Sequence, residues 1–466
     1  MYNICMSISD NTNTIKNIQD RLDRVLPIKL GVNKRNELTR LIYELCSSNK
    51  MSVEEVFAMA RIGQTAEEGR SGLFHKLKKH LVSLRYPTVD KGRDLHIMPL
   101  KIKEGLSECP LWDTTISPEN IYVEKEVKDL AWTKQFLSHF PSAKVSIIDA
   151  LKDGLKKFSG DGVSVYNARR KNVFLVKNKA AFIKVCPCTK KYKRCGYWIL
   201  NIGFGCPMDC SYCYLQMYSN APGLILTANI EDYYDHIKEF DDRAEGRIRI
   251  GTGEFTDSMA LDKYTRYSEH LIPFFKNTKN LVLELKTKVS DIDNVLKQEP
   301  HDNLVVSWSI NTLEMSDRFE KGAATMEERI SAALSAAKKG FKLGFHFDPV
   351  VYYDGWEQGY KDIVDAVFSI KEISEKIEWI SIGTLRYTPG LKQIAENRFS
   401  DNDIYYQGEF STDSDGKLRY PREIRIDIYK KMIEWIRSHN TKSWIYLCME
   451  PAEMWREVGV DSWELK

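Results

Sequence analysis

The residues with the most definite chemistry in this chain are three cysteines in Cys206-Pro-Met-Asp-Cys210-Ser-Tyr-Cys213-Tyr-Leu-Gln216. Gaps of three and two residues let thiolates from one short loop reach separate irons of a cubane iron–sulfur cluster. Three protein ligands leave one iron of a [4Fe–4S] cluster open, and an open iron can chelate the amino acid end of S-adenosylmethionine (SAM). An electron then splits SAM into methionine and a 5'-deoxyadenosyl radical; the cofactors carry the chemistry and the protein positions them. The competing readings are unrelated thiols or a zinc knuckle. Zinc favours four ligands and paired C-x2-C motifs, so Cys206, Cys210 and Cys213 are expected to hold the cluster.

A second group, Cys186-Pro187-Cys188 with Cys195, lies just upstream. With Cys448 as a fourth ligand it offers an auxiliary cluster or zinc site, or alternatively a redox thiol beside the reaction; incidental cysteines in a basic loop are the plain alternative. Further on, Gly251-Thr-Gly253-Glu254 and Asp257 follow an expected strand. Glycines there admit close backbone approach to a ligand, and a carboxylate suits the SAM amino group. Lys288 closes the next strand, where its charge pairs with the SAM carboxylate. Ser309 and Asn311 end the strand after that, and His346, Asp348, Tyr352 and Tyr353 end the one following.

These residues need a scaffold that gathers strand ends. Strands are expected at 247–251, 280–286, 303–310, 342–351, 377–385 and 442–448, alternating with helical stretches. That alternation argues for βα units and a parallel sheet. Six or seven such units predict an α/β fold, a partial TIM barrel of the (β/α)6 type, with its site at the C-terminal strand ends. The expected organisation is a helical domain over 1–88, a linker over 89–118, a small α/β region over 119–184, and the partial barrel with a C-terminal extension over 185–466. In the helical part, Ile15, Ile18, Leu22 and Leu26, then Leu38, Leu41, Ile42 and Leu45, then Leu73, Leu77, Leu81 and Leu84 recur at helical spacing. Lys76, Lys79 and His80 lie off the last apolar face.

The 466 residues are 43% hydrophobic and 29% charged, with a net charge of +3, so overall charge announces no nucleic-acid partner. The first hundred residues carry +5 and the remainder −2, a mild asymmetry. No apolar run approaches the roughly 20 residues of a membrane span, and no basic, then apolar, secretion signal opens the chain. Ten cysteines in tight groups suit metal ligation in a reducing cytoplasm better than a disulfide framework.

From about Ile121 onward the chain resembles the spore photoproduct lyase family of radical SAM DNA repair enzymes. The resemblance rests on Cys206-x3-Cys210-Ser-Tyr-Cys213-Tyr-Leu-Gln, Trp308-Ser-Ile-Asn311, Glu328-Arg-Ile-x-Ala-Ala, Gly344-Phe and Gly355-Trp-Glu-Gln-Gly-Tyr360. It implies a partial TIM barrel binding one [4Fe–4S] cluster and SAM, with Lys288 and Ser309 at SAM-contacting positions. It also implies that Tyr212 and Tyr214 relay hydrogen atoms, and that the substrate is a thymine photolesion in DNA. Arg386, Lys417, Arg419 and Arg422 are candidates to hold its phosphates, and a flavodoxin or ferredoxin is the expected reductant. One departure stands out. The family's hydrogen-donor cysteine lies shortly before an Asp after the second strand, and alignment on Asp257 puts Glu254 there. A carboxylic O–H is too strong to give a hydrogen atom to a carbon radical. Either another thiol serves, with Cys186, Cys188, Cys195 and Cys448 as candidates, or the enzyme modifies a peptide, an RNA or a small molecule. A metal-binding or nucleic-acid-binding protein without catalysis is the third reading.

Overall fold

The computed structural model describes residues 4–63, 72–87, 95–97, 115–158, 162–179, 181–189, 191–218, 221–399, 402–439 and 442–460. The chain divides into two compact units: one of residues 1–109 with 401–427, the other of 110–400 with 428–466.

The first unit is built on α1 (Ile4–Val25), α2 (Val32–Asn49), α3 (Val53–Met59) and α4 (Leu73–Arg85). The apolar repeats meet as their spacing requires: Ile18, Leu22, Leu38, Leu41, Ile42, Leu45, Leu73, Leu77 and Leu81 are all buried. Ser52 starts α3 with a reciprocal cap, its backbone N–H donating to Glu55 and its hydroxyl accepting from the Glu55 N–H. Residues 401–427, which the sequence reading assigns to the barrel, pack with these helices. Arg40 donates to the Tyr406 carbonyl at 2.8 Å, and Arg85 pairs with the fully buried Glu409 at 3.4 Å. Segment Phe410–Thr412 pairs antiparallel with both Leu95–His96 and Leu418–Arg419. Such pairing over more than 300 residues leaves no local signature. Most of the expected linker, 88–94 and 98–114, lies outside the described residues.

The second unit holds two sheets. The smaller uses β1 (Asn120–Glu124), β2 (Lys144–Ile148), β3 (Asn172–Val176), β6 (Gly203–Phe204) and β7 (Leu224–Thr227), in the order β2-β1-β3-β7-β6. The larger uses β4 (Ile183–Val185), β5 (Trp198–Leu200), β8 (Ile248–Gly251), β9 (Leu281–Thr287), β10 (Leu304–Ser309), β11 (Lys342–Val350), β12 (Ile377–Thr384) and β13 (Trp444–Leu447). Its order is β13-β12-β11-β10-β9-β8-β5-β4, all parallel except the antiparallel edge strand β4. The expected α/β half-barrel is therefore present. Strands covered on both faces read as apolar runs, and Leu281, Leu283, Leu285, Leu304, Val305 and Val306 are buried. Helix Met326–Lys339 is capped by Thr325 with Glu328 at one end and by Gly340, at φ 109°, at the other.

The cysteine loop leaves the small sheet at β6 and returns to it at β7, which pair antiparallel through Gly203↔Leu226 and Phe204↔Ile225. A Cβ on Gly203 would lie 2.6 Å from the Ile225 carbonyl oxygen, so the closure admits only glycine. Gly203→Ala is expected to cost about 1–3 kcal/mol through overpacking, read as a lower urea midpoint with an unchanged slope.

Candidate active site at the cluster loop

Backbone carbonyls in a tight loop need donors. Arg169 supplies them to Cys206 O at 3.0 Å and Met208 O at 2.8 Å, and pairs with Asp209 Oδ1 at 2.6 Å. Arg398 reaches the same Asp209 oxygen and donates to Gln216 Oε1 at 2.6 Å. The Gln216 amide in turn donates to the carbonyls of Cys210, Ser211 and Cys213. Burial opposes the charge on Asp209, yet the two guanidinium groups hold its pKa below the usual carboxylate value. Side chains from two distant segments, with Asp209 and Gln216 of its own, thus fix one loop, whose Asp209–Cys210 also pairs antiparallel with Glu320–Lys321.

Among the described residues, no three Cys, His, Asp or Glu side chains converge as ligands of a single ion. A cubane makes a different demand, since each thiolate binds its own iron and the sulfurs stand apart. Cys206 feels the charges of both Cys210 and Cys213, and burial raises all three thiols, Cys210 to about 12. Metal ligation deprotonates such thiols. An all-thiol donor set on a pinned loop fits the cluster.

Lys288, at the end of β9, lies beside this loop. Its ammonium is 2.6 Å from Tyr212 Oη, 2.9 Å from Glu320 Oε1 and 3.7 Å from Cys210 Sγ. Glu320 also accepts from the Tyr212 hydroxyl and, at 3.3 Å, from Asn311 Nδ2; Arg329 lies 2.6 Å from its other oxygen. Against the penalty of burial, Lys288 and Arg329 hold the Glu320 carboxyl far below its usual range. The Tyr212 phenol, raised by burial and by Glu320, keeps its proton. Tyr214 Oη donates to the Arg386 carbonyl at 3.2 Å.

The remaining sequence candidates take distinct places. Asp257 accepts from the Met259, Ala260 and Lys288 N–H groups and from the Thr287 hydroxyl, so its oxygens organise its own loop. Gly253 is tightly packed: a Cβ there would sit 3.1 Å from the Lys286 carbonyl oxygen. Asn311 Oδ1 accepts from Tyr360 Oη at 2.7 Å, and the Ser309 carbonyl accepts from Arg329 at 2.9 Å. Glu254 is half-buried, and its carboxylate makes no hydrogen bond among the described residues. Its charge is felt by Lys286, Cys186 and Cys188.

The upstream thiols of the expected auxiliary site are held by different partners. Cys186 and Cys188 lie 3.5 Å apart, sulfur to sulfur, while Cys195 Sγ accepts from Arg249 at 3.3 Å deeper in the barrel. There Arg249 also donates to Tyr446 Oη at 2.8 Å, and Glu284 Oε1 accepts from Ser307, His346 and Trp379, each at 2.7 Å. Because a carboxylate only accepts, His346 carries its proton on Nε2; burial disfavours a second. Its place is structural. Cys448 Sγ, by contrast, stands at the rim, 3.4 Å from Arg386, which forms a two-pronged pair with Asp348. That pairing occupies Arg386. Arg419 and Lys417, in the other unit, are likewise taken by Asp415.

Sequence reasoning missed Arg169, Arg398, Glu320 and Lys286. Only Lys286 had a signal. Glu284-x-Lys286-x-Lys288 places charges at alternate positions of an otherwise apolar strand, which puts them on one face.

A family model described as spore photoproduct lyase matches residues 116–445. The spore photoproduct lyase of a Geobacillus species is 26% identical over 211 residues, 43% of this chain and 60% of that protein. That of Clostridium acetobutylicum is 22% identical over 261 residues, 55% and 74% of the two chains. That of Bacillus subtilis is 29% identical over 163 residues, 34% and 48%. The chain thus matches about 60% of the length of the first of these relatives. Among solved structures, a spore photoproduct lyase complexed with dinucleoside spore photoproduct superposes with a TM-score of 0.61 at 20% identity, over 71% of this chain and 99% of that one. A double variant with bound AdoMet and the same dinucleoside gives 0.62 at 20% identity, over 72% and 99%. At this identity the likeness is one of fold.

Two outcomes are expected. Arg169→Ala strips donors from the cysteine loop, so alkylation of Cys206, Cys210 and Cys213 in the apoprotein should speed up. Glu320→Gln leaves Lys288 and Arg329 without their buried anion and should cost about 3–5 kcal/mol at neutral pH. A lowered carboxyl pKa stabilises the fold above the unfolded value of about 4.3. The difference between Glu320→Gln and wild type should therefore be full at pH 7 and shrink as pH falls below about 5, in urea titrations across that range.

Proposed function

Because the chain belongs to the spore photoproduct lyase family, we propose that it is a radical SAM lyase acting on a thymine photolesion in DNA. One observation carries the reading: the Lys288 ammonium stands between a cluster-loop thiol, at 3.7 Å, and the Tyr212 phenol, at 2.6 Å. A cation there suits the carboxylate of SAM, and a protonated phenol beside it suits hydrogen-atom relay. Cys206, Cys210 and Cys213 would hold a [4Fe–4S] cluster. When bound, the cluster and SAM supply an adenosyl radical that takes hydrogen from the lesion.

The chain's own residues do the rest. Arg169, Arg398 and Gln216 keep the loop in one shape. Glu320 orients Lys288 and Tyr212 together. Glu254, unpartnered by hydrogen bonds, is suited to the SAM amino group, with Ser309 nearby in the same ring of strand ends. Tyr214 leads toward Arg386 and Cys448. A lesion in duplex DNA has to be flipped toward this ring, at a cost of a few kcal/mol that is smallest for damaged bases. Electrons would come from a flavodoxin or ferredoxin, in keeping with a cytoplasmic protein; among the described residues no helix is long and apolar enough to cross a membrane. Glu254 in place of a donor cysteine supports a second reading, radical modification of a peptide, an RNA or a small molecule.

Protein reconstituted anaerobically should bind roughly four irons per chain and form 5'-deoxyadenosine from SAM under reduction. Cys210→Ala should abolish this. Given dinucleotide spore photoproduct, the wild type should release thymidylyl-thymidine. SAM cleavage without that release would transfer the assignment to the second reading.

A further inference from the structure

Resting on the lyase reading, we propose that the Cys186–Cys188 pair replaces the single donor cysteine and returns a hydrogen atom to the product radical, Cys186 as donor and Cys188 as the partner that captures the resulting thiyl.

The pair is built by the local sequence. Pro187 fixes φ near −65°, close to the value at the centre of an inverse γ-turn. The turn is closed by the Cys188 N–H donating to the Cys186 carbonyl at 2.7 Å. Both thiols therefore leave the same side of one turn, and their sulfurs lie 3.5 Å apart. The segment is tied at both ends. The Cys186 N–H donates to the Tyr197 carbonyl at 3.2 Å, beside β5, and the Lys193 N–H donates to the Glu450 carbonyl at 3.1 Å, just past β13. These are opposite sides of the half-barrel sheet, so the segment runs across its open seam. The charges of Glu254 and Cys448 reach Cys186, and those of Glu254, Arg386 and Arg194 reach Cys188. Glu254, Cys448 and Arg386 are residues of the strand-end ring, and Tyr214 of the cluster loop bonds to the Arg386 carbonyl. The two thiols thus face the ring to which the lyase reading assigns the radical.

A sulfur–sulfur hydrogen bond holds one proton between two groups, and the surroundings choose its place. The sulfur–sulfur hydrogen bond, then Arg386 and Arg194, lower Cys188 to about 7 against the opposing effects of burial and Glu254. The bond to Cys188, then burial and Glu254, raise Cys186, which keeps its S–H. A thiol S–H is weaker than the C–H bond it makes, so transfer to a carbon radical runs downhill.

In the step, the Cys186 S–H bond breaks homolytically and a C–H bond forms on the product. The Cys186 thiyl and the Cys188 thiolate then share three electrons in an S–S bond, a disulfide radical anion. Charge is conserved and no proton is released. One electron and one proton, delivered by the one-electron carrier of the lyase reading and by solvent, restore the thiol and the thiolate. The other cysteines lack this arrangement. Cys195 bonds to Arg249 and Cys448 to Arg386 and Asp348, and neither is hydrogen-bonded to a second thiol among the described residues.

The test has two arms. In the first, the protein without cluster is equilibrated in a glutathione redox buffer and its disulfides are mapped by mass spectrometry. A Cys186–Cys188 disulfide is expected; its absence, or pairing of either with Cys195 or Cys448, overturns the proposal. In the second, reconstituted holoenzyme is given SAM, reductant and dinucleotide spore photoproduct in deuterated water. Wild type should place solvent deuterium in thymidylyl-thymidine. Cys186→Ala should still form 5'-deoxyadenosine while product release falls by about 100-fold; Cys188→Ala should slow release by a smaller factor. Cys186→Ala releasing product at the wild-type rate with the same deuterium content overturns this inference alone. Wild-type SAM cleavage with no product overturns the lyase reading, and the donor role with it.

Discussion

A carboxylate between two guanidinium groups holds the catalytic half of this molecule in register. Asp209 sits inside the cysteine motif itself, and Arg169 and Arg398 approach it from segments well before and well after the loop. Removing charge from water is costly, and a buried ion pair repays the cost only when its geometry is complete. Here the same two arginines also donate to loop carbonyls and to Gln216, so the electrostatics and the backbone hydrogen bonding are satisfied together. Loosening that arrangement would leave three thiols on a loop with no fixed shape.

The barrel interior follows the same rule on a larger scale. A half-barrel exposes the inner face of its strands to whatever fills it, and this one fills with charge. Arg249, Glu284 and His346 form a lower layer closed by Trp379 and Tyr446. Lys286, Asp348, Arg386 and Cys448 form the layer above it. Lys288 and Glu320 then meet the cysteine loop at the side. Each charge has an opposite neighbour, and for Glu254, with no hydrogen bond of its own among the described residues, that neighbour is Lys286.

What was legible in the sequence was what is decided locally. The cysteine motif that points to the family fits within eight residues, and parallel strands buried on both faces announce themselves as apolar runs. Lys288 was a candidate because it ends such a strand. Arg169, Arg398 and Glu320 were not, since their roles come from partners tens to hundreds of residues away. Asp257 shows a different limit. A carboxylate that hooks its own loop's N–H groups looks, in sequence, the same as one that waits for a ligand. Segment 401–427 was assigned to the barrel because strands on either side of it belong there; its attachment to the N-terminal helices depends on buried Arg40, Arg85 and Glu409.

That last feature bears on the order in which the protein is made. Arg85 and its partner Glu409 are 324 positions apart. At 5–20 residues per second, the ribosome needs roughly 15–65 s to cover that interval. The four helices emerge first but complete their charge pairing almost last, after most barrel strands are already in solution. Until then Arg40 and Arg85 of the helical cluster share one carboxylate, Glu44, and the second anion of the site arrives only with the chain's own Glu409.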